Sequence, residues 1–311
     1  MTSGSIGGLL EARDSNIDAT VDRLDTLTSQ LIFEINKLHS TGTNLSGLTG
    51  VTGELAIASD DQDVALNSVL NTTLAGLPFA PSNGGFFVDI RNPASGASER
   101  VRIDVDLDGL KSDGSAGTDD DTTAQDIVDA LDAIDGLNAS FNAAGKIVLT
   151  ADTGFEFSFS DDSSGVLAVL GINTLFTGKN ATDIAVRQDL LDDPSGMMIG
   201  RFEDGELVEN GTALAVSALR DEALDALGGV SMAEHWSDSV QSSASRASIA
   251  KTNAEAGSIV RESLEAQRAA ISGVSVDEES INLLNFQRQF QGAAKVISTA
   301  DELLQTLIAI I

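Results

Sequence analysis

The strongest constraint in the chain lies at its end. Leu283, Phe286, Phe290, Ala293, Ile297, Ala300, Leu304, Leu307 and Ile311 recur at alternating steps of three and four residues. Nine consecutive seam positions without a charged interruption specify one apolar stripe along a helix, the pattern of helices that pair. Such a stripe must be buried against another helix, in the same chain or in a neighbour. Asp277, Glu278 and Glu279 precede the seam, where they complement the positive end of the helix dipole.

A second helix is expected from about Ser231 to Ile271, separated from the last by Gly273. Its seam runs Ala233, Trp236, Val240, Ser243, Ala247, Ala250, Ala254, Gly257, Arg261, Leu264, Arg268 and Ile271. Small residues dominate it, so a partner helix can approach closely. Its two arginines weaken the C-terminal half, and Trp236 reads as a packing anchor. The other end of the chain repeats the pattern in a shorter form. Between Asp14 and His39, the residues Ile17, Val21, Leu24, Leu31, Ile35 and Leu38 take the same spacing, with Thr28 in one slot. The glycines at 42, 47, 50 and 53 then mark a loop.

Between these helical ends the period changes to two. Phe86, Val88 and Ile90 alternate along a short run, followed by the turn Asn92–Ala97. Val101, Ile103, Val105 and Leu107 then alternate with Arg100, Arg102, Asp104, Asp106 and Asp108. One face is directed inward and the other into water. A helix is expected from Thr122, with Thr122 and Gln125 as a capping box and Ile127, Val128, Leu131 and Ile134 as its apolar face. Strands follow at Lys146–Ala151 and Phe155–Phe159, so the order is β-β-α-β-β. The fold class is therefore α+β: long terminal helices forming a rod or coiled coil, with an acidic β-rich insert.

Charge divides the chain in the same places. The 311 residues carry 48 acids and 18 bases, a net charge of −30. Residues 54–211 hold 29 of the acids against eight bases, whereas residues 230–311 hold ten against six. The expected division is a helical arm at 1–53, the acidic insert at 54–211 with a core module at about 77–180, and a helical rod at 212–311. A field of this sign repels phosphates and anionic lipid, so neither nucleic acid nor a membrane is an expected partner. No apolar run reaches the roughly 18 residues of a membrane span.

Apart from its 48 carboxylates, which leave a catalytic Asp/Glu pair open on composition, the chain has few residues suited to catalysis. There is no Cys, which removes disulfides, thiolate nucleophiles and Cys-ligated metals. Only His39 and His235 could act as imidazole bases. Both read as surface or helix-end residues, and no G-x-S-x-G, G-x-G-x-x-G or Walker loop accompanies them. One Trp and no Tyr leave few platforms for a sugar, so a glycosidase is not expected. DVDLDG at 104–109 matches the first half of an EF-hand loop. Loop position 12 falls on Ser115 instead of Glu, and strand alternation already places these aspartates in solvent. Asp119, Asp120 and Asp121 read as a solvated turn. No catalytic residue, cofactor or metal is assigned.

Three stretches carry a resemblance. Gly273–Ile308, with its D-E-E opening, L-L-x-F-Q-x-x-F-Q run and K-V-I-S-T-A-D-E-L segment, resembles the C-terminal helix of flagellar axial proteins. Gly4–Gly42 resembles the mid-chain helix of their hook-associated, hook–filament junction family, and Leu170–Val186 a segment after that family's inserted module. The resemblance implies a non-enzymatic structural role in the bacterial flagellum. It also implies export through the flagellar type III apparatus without a cleaved signal, and an extracellular location. The implied partners are identical subunits in a ring, the hook protein, the second junction protein and an export chaperone. Family members resemble a hairpin with an N-terminal helical arm against the C-terminal helix, and that arm is expected to be missing before Met1. The alternatives are another axial component, such as the second junction protein or the hook protein, or a calcium-binding adhesin-like surface protein using the acidic module.

Overall fold

A computed structural model describes residues 4–44, 46–203, 206–273 and 275–310. The chain divides into two compact units, residues 1–243 and 244–311, with the boundary inside one long helix.

The first unit opens with α1 (Gly4–Glu11), a π-helical stretch (Ala12–Ile17) and α2 (Asp18–Ser40). The seam expected on α2 is only partly used. Ile17, Val21 and Leu24 are exposed, and the fully buried apolar residue is Ile32, one position off the seam. Two packing partners cause this rotation. Ser29, Ile32, Asn36 and His39 form the buried side, while Ile35 and Leu38 pack beside a second cluster of Leu219, Leu224 and Leu227.

The glycine-rich stretch after α2 contains a strand, β1 (Gly50–Thr52), that its loop-like composition conceals. A one-turn helix, α3 (Thr72–Ala75), leads to the hairpin of β2 (Gly84–Asn92) and β3 (Ala97–Val105). After α4 (Ala124–Asp132) come β4 (Leu137–Phe141), β5 (Ile147–Ala151) and β6 (Glu156–Ser160). Two antiparallel three-stranded sheets result, ordered β3-β2-β6 and β1-β5-β4. β5 and β6, adjacent in sequence, therefore belong to different sheets. The expected β-β-α-β-β order lacks β1 and β4. β4 escapes a period-2 reading because its buried positions are only Leu137 and Ala139, separated by Asn138.

The alternation itself is realised. Phe86, Val88 and Ile90 are buried, as are Ile103 and Val105, while Arg100, Arg102 and Asp104 face water. Phe87, on the outer face of β2, carries the Arg100 guanidinium 4.2 Å above its ring. Ile127, Val128 and Leu131 of α4, with Ile134 just beyond its end, close the core with Phe157, Phe159, Ile147 and Leu149. Phe86 and Phe157 both meet Phe159 edge-on, at 6.1 Å and 5.6 Å between ring centres. The capping box lies one residue later than expected, at Thr123 and Asp126. Thr122 is diverted: its hydroxyl accepts a bond from the Asp106 N–H at 2.8 Å.

Short elements complete the unit. These are α5 (Val166–Val169), the β7 (Phe176–Thr177) and β8 (Ala185–Val186) pair, α6 (Gln188–Asp192), the β9 (Arg201–Glu203) and β10 (Glu206–Val208) pair, and α7 (Gly211–Ala218). Asp162 nucleates α5. Its carboxylate accepts from the N–H groups of Ser164, Gly165 and Leu167, and from the Ser164 hydroxyl, at 2.7–3.1 Å. α8 (Met232–Ser272) and α9 (Val276–Ile310) match the two helices expected from periodicity, with the break at Gly273.

Candidate assembly interface

α9 begins with Asp277, Glu278 and Glu279 in its first turn, as its sequence requires. No described side chain of the helix is buried. Among the expected seam residues, Phe286 is 67% and Phe290 77% exposed, and Leu283, Ile297, Leu304 and Leu307 are exposed too. Ala293 and Ala300 are likewise open. Ile311 lies outside the described residues.

The apolar surface is wider than the seam. Val296, Leu303 and Ile310 lie one residue before the seam residues Ile297, Leu304 and Ile311, and Ile308 lies one after Leu307. Towards the C-terminus, four of seven heptad positions are therefore apolar. A strict two-position seam serves one partner helix, whereas a broader stripe covers a core shared by several. Each such Leu, Ile or Phe is worth about 1.5–3 kcal/mol when removed from water. The signal for this widening was present in the sequence, in Val296, Leu303, Ile308 and Ile310.

α8 starts at a capping box. Ser231 and Glu234 exchange bonds of 3.0–3.2 Å between side chains and backbone N–H groups. Trp236 is 49% exposed, so it does not anchor packing within the described chain. Val240, Leu264 and Ile271, from the expected α8 seam, are exposed as well. Small seam residues contribute little area of their own, and the bulky ones are left bare.

The two histidines differ. His39 does end α2, but it is buried and not on the surface. Its ring joins two backbone segments. Nδ1 donates to the Asn173 carbonyl at 2.8 Å, and Nε2 accepts from the Met198 N–H at 3.1 Å. The obligatory Met198 donor fixes the neutral tautomer. Burial holds this imidazole below the usual histidine range; the Asn173 bond opposes that and Arg187 adds to it. With both nitrogens bound to backbone, the ring is a structural clamp. His235 is half-buried and its Nε2 takes no bond.

The aspartates of the 104–121 region also separate. Asp106 and Asp108 are exposed, as their alternation predicts. Asp121 is not part of a solvated turn: it is 3% exposed. The nearby Thr122 backbone is bonded back to Asp106, which pulls residue 121 inward.

The chain is thus an α+β unit followed by two long helices, the last bare along its apolar face. Comparisons with known proteins find likenesses at both ends of the chain and along its length. Residues 1–52 match the flagellar hook-associated protein FlgK helical domain. Residues 265–310 match the C-terminal domain of the flagellar basal body rod FlgEFG proteins. Flagellar hook-associated protein 1 of Escherichia coli (strain K12) is 24% identical over 321 aligned positions, covering 100% of this chain and 50% of that protein. The chain thus spans about half the length of the curated relative it matches. Together these matches support a FlgK-like flagellar hook-associated protein. No described helix is long and apolar enough to cross a membrane.

Proposed function

We propose that this chain is a structural subunit of the bacterial flagellum that joins hook to filament. The exposed, widened apolar face of α9 is the observation that carries the reading, because it demands helical partners in bulk. Matches at both ends to flagellar axial domains support it. In this reading, Leu283, Phe286, Phe290, Ala293, Ile297, Ala300, Leu304, Leu307 and Ile311 form the assembly interface. Identical subunits, the hook protein and the second junction protein supply the covering helices, and an export chaperone shields them beforehand. Residues 1–53 and 212–311 belong to the rod, and the acidic 54–211 segment is an insert that remains hydrated outside the flagellar core. The subunit works outside the cell after type III export, and its role requires no catalysis.

Phe290→Asp in the cellular copy of the gene tests the interface. Cells should retain the protein yet shed or lack filaments, with hooks still visible by electron microscopy. Normally attached filaments would sink the assignment.

A further inference from the structure

Sequence places Asp106 and Asp108 at the third and fifth positions of half an EF-hand loop whose twelfth position is Ser115. The fold supplies a different closing carboxylate. One oxygen each from Asp106, Asp108 and Asp121 lie within 4.8 Å of one another. Asp121 Oδ2 is occupied: it accepts from Asn67 Nδ2 at 2.6 Å and from the Gly109 N–H at 3.2 Å. Asp121 Oδ1 is closed off from solvent and takes no hydrogen bond. A buried carboxylate oxygen without a partner is costly, and two further carboxylates beside it raise that cost. The loop's own cations do not relieve it, since Arg102 pairs with Asp104 and Lys111 with Asp119.

We propose that Asp106, Asp108 and Asp121 bind a calcium ion. Calcium–oxygen distances are about 2.3–2.6 Å, so oxygens bound to one ion can lie up to about 5 Å apart, which accommodates this triad. The ion gives Asp121 Oδ1 its missing partner and neutralises most of the local charge. Asp106 and Asp108 face solvent, so water completes the coordination shell. Gly109 turns the chain directly after Asp108 at φ +68° and sends its N–H to Asp121. Thr122 ties the far end of the loop back to Asp106 through the paired bonds Asp106 N–H to Thr122 Oγ1 and Thr122 N–H to the Asp106 carbonyl, both 2.8 Å. Three carboxylates and several waters make a weak site, with a dissociation constant on the order of 10⁻⁴–10⁻³ M. The site lies within the 1–243 unit and does not depend on the flagellar reading.

Calorimetric titration of the full chain with calcium chloride tests the proposal. One ion should bind per chain. Asp106→Asn and Asp121→Asn should each weaken binding at least about tenfold, while Asp119→Asn, outside the triad, leaves it unchanged. Asp106 is exposed, so its variant keeps the test valid even if Asp121→Asn misfolds; circular dichroism verifies the fold. Absence of binding up to about 10 mM calcium, well above the expected constant, overturns the site. So does unchanged affinity in Asp106→Asn, which would place the ion elsewhere on this acidic chain. Magnesium binding as tight as calcium would overturn the choice of ion.

Discussion

Asn36 bonds Phe176 in both directions: its Nδ2 donates to the Phe176 carbonyl at 2.9 Å and its Oδ1 accepts from the Phe176 N–H at 2.8 Å. The same Oδ1 accepts from the Leu175 N–H at 3.0 Å. One side chain on α2 thus acts as a strand edge for backbone 140 residues away. Asn36→Ala removes all three bonds and leaves partly buried backbone groups without partners. The expected loss is about 2–3 kcal/mol, read as a lower midpoint in urea denaturation. A change below about 0.5 kcal/mol would show that water replaces the amide at no cost.

His39 makes stability depend on pH with a definite sign. Its folded value lies below the ordinary value of about 6.5 because of burial. Between the two values the unfolded chain binds a proton that the folded chain refuses, so stability rises with pH across that window. The contribution is complete above about pH 6.5 and is lost as the pH falls below it. Protonation also turns Nε2 into a donor facing the Met198 N–H, which breaks that bond. Glu34 works in the opposite sense, since burial raises its carboxyl above the usual range, with Lys37 opposing and Glu222 adding to the rise. Thermal melts from pH 8 to pH 5 should fall for the native chain. They should fall less for His39→Gln, and parallel curves would contradict the clamp.

The capping of α4 shows how far sequence alone could reach. The helix, its apolar face and a Thr-initiated cap were all legible from Thr122 onward. Choosing between Thr122 and Thr123 was not, because the choice depends on Asp106, which claims the Thr122 hydroxyl from 16 residues away. The same limit explains the buried His39 and Asp121, whose partners at 173, 198, 67 and 109 are set by tertiary contacts. β1 was hidden because it begins on Gly50 between Gly47 and Gly53, and its pairing with β5 spans about a hundred residues. α8 and α9 were readable almost to the residue, since an uninterrupted period needs no distant partner to define it. Thr123→Ala should cost about 1 kcal/mol by urea denaturation, by losing the cap to the Asp126 N–H at 3.0 Å. An unchanged midpoint would mean that Asp126 alone sustains the helix start.

Gly145 tests a close backbone approach. Its φ is +74°, and a Cβ there would sit 2.2 Å from the Ile57 carbonyl oxygen. The Ile57 N–H also donates to the Gly145 carbonyl at 2.9 Å, so the two segments cannot separate freely. Gly145→Ala combines left-handed strain with a clash against backbone, and should cost about 2 kcal/mol or more. A midpoint within about 0.5 kcal/mol of the native chain in urea denaturation would mean that the loop at 142–146 shifts without penalty.

Two phenylalanines stand at opposite extremes of burial. Phe157 is 1% exposed in the core between the sheets and α4, and Phe290 is 77% exposed on α9. Phe157→Ala leaves a cavity and should cost about 3–5 kcal/mol in the isolated chain. Phe290→Asp removes no internal packing, so the isolated chain should keep its denaturation midpoint within about 0.5 kcal/mol. A charge placed in a buried helical seam is prohibitive, however, because it leaves water without a partner. Phe290→Asp should therefore reduce self-association in sedimentation and eliminate filament attachment in cells. If it destabilised the isolated chain as much as Phe157→Ala does, α9 would be covered within a single chain, and the apolar face would not be an intermolecular interface.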